Sequence, residues 1–142
     1  MKYILLIFFL SCTSEQTERY NPKEIECIGF QKELLDCLNE VRVSYGLNSL
    51  KAEERVTYCA MEHAIKMNET DSLNHFGFQE RVNYSKARRF SEVVNKNMIT
   101  ARSYINSFIN SPSHREAILD STKTYCGIWS EDNYVCINFS SY

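Results

Sequence analysis

The sequence predicts an α+β domain with helices packed on a small antiparallel sheet. Apolar residues recur at helical spacing through the first half, further helical segments mix with a β-rich run, and two more β-rich runs close the chain around a turn-like cluster. Without its apolar leader the 142-residue chain is long enough for one domain with a real core and too short for two. Nothing in it repeats.

From about Ile25 to Tyr45 the residues Phe30, Leu34, Leu38, Val41 and Tyr45 recur every three or four positions, and Gly46 stops the helix. A second helix from about Lys51 to Asn68 carries Val56, Ala60, Ala64 and Met67 on one face. His63 sits beside that face and reads as a core-edge histidine bonded to backbone rather than a ligand. Asn74-His75-Phe76-Gly77 breaks the periodicity, Phe78 to Asn83 suits a short helical turn, and Arg89 to Val94 suits a strand. A third helix from about Met98 to Ile109 is expected to bury Ile99, Tyr104, Ile105 and Phe108. Ser111 then suits an N-cap with Pro112 at the first helical position, although Ser113 and Glu116 would also make a capping box. Either start puts His114 in the first turn, where the helix dipole favours the neutral imidazole that binds metal or accepts a proton. Strands near Tyr125 to Ser130 and Asn133 to Phe139 finish the chain.

Residues 1–11 read as a secretory signal: Lys2 precedes an apolar run too short to span a membrane. The end of that run, Phe9-Leu10-Ser11-Cys12, resembles the lipobox of bacterial lipoproteins, with Phe9 where leucine is usual. The resemblance implies cleavage before Cys12, acylation of its sulfur and a lipid-anchored place in the cell envelope. Acyl chains contribute about 0.8 kcal/mol per buried CH2, so several would hold the protein on a membrane. The alternative is a soluble secreted protein. Residues 12–27 then form the lipidated cysteine and a polar tether, and 28–142 the domain.

Five cysteines remain once Cys12 is given to lipid. Cys126 and Cys136 flank Ser130-Glu131-Asp132-Asn133, so a cross-strand disulfide is an expectation. Cys37 and Cys59 would meet only if the first two helices formed a simple antiparallel hairpin. No spacing is a zinc-finger or Cys-x-x-Cys pattern. With 16 basic and 18 acidic residues and no basic block, the composition argues against nucleic-acid binding.

His75, Glu92 and His114 stand at segment edges, yet no pair has local metal-ligand spacing. Glu92 is the odd one, a carboxylate inside Phe90-Ser91-Glu92-Val93-Val94. On a buried face it needs a partner, and on an exposed face it needs nothing.

Taken in order, several segments resemble the CAP superfamily, the SCP-like group of cysteine-rich secretory proteins, antigen 5 and plant pathogenesis-related proteins, in its compact bacterial form. They are Leu38-Asn39-Glu40-Val41-Arg42 with Tyr45 to Leu50, Ala60 to Met67, and His75-Phe76-Gly77 with Arg81. The strand around Glu92, Phe108 to Arg115 with Ile118-Leu119, and a last strand ending Asn138-Phe139 complete the set. The resemblance implies an α-β-α sandwich with a small antiparallel sheet between helices. It also implies that His75 and His114 match two cavity histidines that bind zinc or another divalent cation in some members, and that Glu92 matches a cavity glutamate. Two neutral imidazoles and one carboxylate would leave open positions on zinc for water. Departures accompany the match: Ser91 and Val93 flank Glu92 in place of glycine and asparagine, Ser111 replaces a second cavity glutamate, Phe108 a tryptophan and Ala117 an asparagine.

Three functions follow as expectations. The first is a lipid-anchored binding module whose cavity holds a divalent metal or small hydrophobic ligand, with an envelope or extracellular protein as partner. The second is a metal-assisted hydrolase of cell-wall peptide or protein, with Glu92 as the catalytic base. The third is a metal-free hydrogen-bond network. Ser111 and Ser113 read as caps rather than nucleophiles, and Arg115 as a residue that pairs with a carboxylate or caps carbonyls.

Overall fold

Helical periodicity places Leu34, Leu38 and Arg42 on the buried face of α1 (Gly29–Ser44), which ends where Gly46 takes a φ of 73°. This computed structural model describes residues 19–142, so the signal and Cys12 lie outside the described residues. Beyond α1 come β1 (Lys51–Ala52), α2 (Glu54–Glu69), α3 (Phe78–Ser85) and β2 (Arg89–Lys96). After them follow α4 (Ala101–Asn110), α5 (Pro112–Ile118), β3 (Tyr125–Glu131) and β4 (Tyr134–Ser141).

The sheet order is β1-β3-β4-β2. β2, β4 and β3 are antiparallel as expected, while the two-residue β1 adds a parallel pairing to β3, so the sheet is mixed. The Asn39 side chain explains β1: it accepts from the Leu50 N–H at 2.8 Å and donates to the Leu50 carbonyl at 3.0 Å. That grip lays the next residues beside Tyr125 and Cys126.

One face of the sheet, with Val93, Ile128, Ile137 and Phe139, packs against Leu34 and Leu38 of α1, Ile105 and Phe108 of α4 and Ile118 of α5. The other face, with Val94, Tyr134 and Cys136, packs against Ala60, Ala64 and Met67 of α2. The result is the expected α-β-α sandwich. Gly127 sets the approach of α2, because a Cβ there would lie 2.1 Å from the Val56 carbonyl. Among the described residues no helix is long and apolar enough to cross a membrane.

Several expectations are corrected. Cys126 pairs in register with Phe139, and Cys136 with Trp129. The two belong to the cores on opposite faces of the sheet and are free thiols, so they form no disulfide. Cys37 and Cys59 sit on helices at opposite faces and are also free. Ile99 is 93% exposed, because α4 starts only at Ala101, after a Thr100–Ser103 capping box, and leaves Ile99 outside the helix. Pro112 does open α5, but Ser111 makes no side-chain cap bond and no Ser113–Glu116 box forms. The exposed Arg115 has no side-chain partner among the described residues. Carbonyl capping falls to the buried Arg42, which donates to Asn48 at 3.0 Å, Asp120 at 3.1 Å and also Ile118. Residues 20–27, read as tether, are bound to the domain. Ile25 donates to the Ala52 carbonyl, Glu24 bridges Glu53, and the Tyr20 hydroxyl donates to the buried Glu53 carboxylate.

Candidate functional site

Glu92 belongs to the β2 residues that face α2, and its side chain is fully buried. A buried carboxylate requires partners, and four donors supply them. Arg81 of α3 grips it bidentately, Nε to Oε2 at 2.7 Å and an Nη to Oε1 at 2.7 Å. His75 Nδ1 donates to Oε1 at 2.8 Å. Asn138, directly opposite on β4, completes the set once its amide is assigned from the surrounding network, which turns its nitrogen toward Oε2 at 2.9 Å and lets its oxygen accept from the Ala60 N–H at 3.1 Å. An ionised carboxylate offers about four acceptor positions, and here all are taken.

The same contacts build the loop that presents His75. Asn74 forms a turn by accepting from the Phe76 N–H at 2.9 Å, and Gly77, at a φ of 74°, turns the chain into α3. Arg81 reaches back to the Phe76 carbonyl at 2.7 Å, so one side chain fastens both the loop and Glu92. His63 donates from Nε2 to the Asn74 carbonyl at 2.7 Å, the backbone bond expected of it, and stands 3.6 Å from Glu92. Burial pushes the His63 pKa down, which keeps the ring neutral. With Nδ1 bonded to Glu92, His75 Nε2 is left without a protein partner among the described residues, on a side chain 51% exposed.

That ring stands at a cleft of about 1050 Å3 at the β2 edge, between α3 on one side and α5 with the following loop on the other. Phe78 and Phe90, with ring centroids 5.6 Å apart, form an apolar wall opposite Ala117 and Leu119. Ser91 Oγ, also in the lining, is buried without a protein hydrogen-bond partner among the described residues. His114 approaches from α5, where its neighbours Ser113 and Glu116 line the cleft. Its ring packs edge-on against Phe108 at 5.3 Å. Its pKa is lowered, as the sequence suggested, yet the cause is burial first and then the nearby His75.

Comparison with known proteins places this arrangement. The profile of the cysteine-rich secretory protein family, CAP, matches residues 35–137. This chain belongs to the CAP family. An uncharacterised protein of Borreliella burgdorferi is 28% identical to the CAP chain over 129 residues, 84% of this chain and 80% of its own length. An uncharacterised membrane protein of Bacillus subtilis is 25% identical over 116 residues, 77% of this chain; the match spans only 34% of that relative. Among solved structures, an outer surface protein of Borrelia burgdorferi superposes with a TM-score of 0.72 at 25% identity, covering 85% of this chain and 98% of its own. An extracellular SCP-domain protein of Bacillus anthracis gives a TM-score of 0.76 at 19% identity, covering 80% of this chain and 41% of its own, which speaks to the fold alone.

The donor set of this CAP domain decides how the expected zinc ligands fit. His75 and His114 come to one end of the sheet, but Glu92 has no acceptor position left for a metal ion. Among the described residues no three His, Cys, Asp or Glu side chains stand in metal-binding geometry. The set His75, Glu92 and His114 therefore does not fit as three direct ligands, and Glu92 acts on His75 as a positioning residue. Arg81 and Asn138 join the site as partners of Glu92 that the sequence does not single out. A signal existed for the second: Asn138 is a polar residue inside Val135-Cys136-Ile137-Asn138-Phe139. Arg81 comes from a separate helix, so its meeting with Glu92 had no local signature.

Proposed function

We propose that this CAP protein is a lipid-anchored binding module of the cell envelope, held to a membrane by acylated Cys12. Its cleft between α3, β2 and α5 takes a small, mainly apolar ligand. The observation that carries this reading is the fourfold engagement of Glu92. A metal-assisted hydrolase would need that carboxylate to ligate the ion or take a proton from water, and either requires a free oxygen. A cleft with an aromatic wall and an imidazole fixed by Glu92 suits ligand capture instead. The apolar wall supplies affinity, while the half-exposed His75 ring supplies orientation.

Chemical-shift mapping with indole-sized aromatic fragments tests the cleft. Shifts concentrated at His75, Phe78, Phe90 and Ala117, and abolished by Ser91→Trp, are the expected result. Fragments that perturb only other surfaces would overturn the assignment. The anchor is tested separately by membrane fractionation of Cys12→Ala, which should release the protein; retention on membranes contradicts it.

A further inference from the structure

A second cleft, of about 640 Å3, opens where the N-terminal segment joins the domain, and its lining residues are Arg19, Tyr20, Asn21, Arg55 and Lys86. Three cations and no carboxylate line it, in a chain whose net charge is −2. The Arg55 guanidinium lies 4.7 Å from the Tyr20 ring centroid and 5.4 Å from that of Tyr84. It donates once, to the Tyr84 carbonyl at 3.1 Å, and its other donors have no protein acceptor among the described residues. Lys86 is exposed and held at a φ of 61° directly after α3, so the backbone fixes its place. Exposed Tyr58 and Tyr84, 5.1 Å apart, extend the face. Of the nearby carboxylates, Glu53 is buried among its own donors and Glu54 pairs with Lys23 at 2.6 Å, while the exposed Glu62 beside Tyr58 is one negative charge at the rim of the face.

We infer that this basic, tyrosine-rimmed face docks on an anionic phospholipid surface. Clustered cations recognise phosphate headgroups, and tyrosines sit at headgroup level with ring buried and hydroxyl wet. The placement rests on the proposed Cys12 anchor. Seven chain steps separate Cys12 from Arg19, so even a fully extended segment holds the face within about 25 Å of the lipidated sulfur. Glu53 then stops the tether from lengthening, because it binds the Tyr20 hydroxyl and the Lys23 N–H. The anchored domain therefore presents this face to the bilayer rather than swinging freely.

A chain starting at Thr13 keeps every described element and reads the face without the acyl chains. Cosedimentation with vesicles of equal parts phosphatidylglycerol and phosphatidylcholine should show binding that high salt removes and that pure phosphatidylcholine lacks. Each cation at an anionic surface is worth roughly a fivefold change in partition, so Arg19→Ser with Lys86→Ser should lower it on the order of 25-fold. Both positions are exposed, so the thermal midpoint should hold. Equal binding to neutral vesicles, no binding to anionic ones, or unchanged partition of the double variant would overturn the inference. Loss of vesicle binding to millimolar inorganic phosphate would also overturn it, by making the cleft a soluble-phosphate site. A failed Cys12→Ala release sinks the anchor and leaves the vesicle result standing, so the two failures are distinguishable.

Discussion

Replacing Arg81 with methionine removes both guanidinium bonds to Glu92 and the bond to the Phe76 carbonyl while keeping most of the side-chain volume. The Glu92 carboxylate is then left fully buried with only His75 and Asn138 as donors. Breaking a buried pair by deleting one partner costs about 3–5 kcal/mol, because the remaining charge stays desolvated. Arg81 is 11% exposed, so water recovers little of that loss, and a value near 3 kcal/mol is expected. Glu92→Gln alone should cost a similar amount, since it turns an amide donor toward the guanidinium. The double variant should cost far less than the sum, with a coupling of about 2–3 kcal/mol. Urea unfolding followed by circular dichroism measures all four proteins, and a constant slope shows that only stability has changed. Additive effects, or a cost below about 1 kcal/mol for Arg81→Met, would refute the view that this pair fastens the site.

Gly127→Ala should cost about 3 kcal/mol or more, or prevent folding, because its Cβ would collide with the Val56 backbone rather than a movable side chain; thermal melts and soluble yield check this. Acidification should destabilise the protein through His63. Its folded pKa is lowered from the ordinary 6.5 by burial, so its contribution is intact above that value and is lost as pH falls through and below it. Urea midpoints at pH 7.5 and 5 should differ less in His63→Gln than in wild type; an identical pH dependence would be evidence against it. Thr100→Ala should cost about 1 kcal/mol by removing the α4 capping box, read as a fall in the urea midpoint. Alkylation of the denatured, unreduced protein should label Cys126 and Cys136, and a peptide linking the two in mass spectrometry would contradict the register.

The helices were legible because each has one buried stripe: Leu34 with Leu38, and Ala60 with Ala64 and Met67, repeat at helical spacing. β4 was harder, since it is covered on both faces and shows no alternation from Tyr134 to Ser140. The expected disulfide failed on register alone. Pairing Cys126 with Cys136 centres the hairpin on Glu131, but the turn falls between Asp132 and Asn133, with Asp132 at a φ of 48°. The cluster Ser130 to Asn133 did not specify which residues turn. In the site, the apolar strand around Glu92 signalled that a buried carboxylate would need a partner. Which partner it takes depends on how α3 lies against the sheet, and that is a property of tertiary packing. His63 is the backbone-bonded residue its position beside the α2 face predicts, but its place beneath the His75 loop emerges only when α2 and that loop meet.

Zinc titration of the purified full chain by isothermal calorimetry tests most directly whether Glu92 is spent on positioning His75. The expected result is no one-to-one zinc site of micromolar or tighter affinity that depends on Glu92. A stoichiometric zinc site whose X-ray absorption spectrum shows a bound carboxylate oxygen, lost in a folded Glu92→Gln variant, would contradict the assignment and restore Glu92 as a ligand.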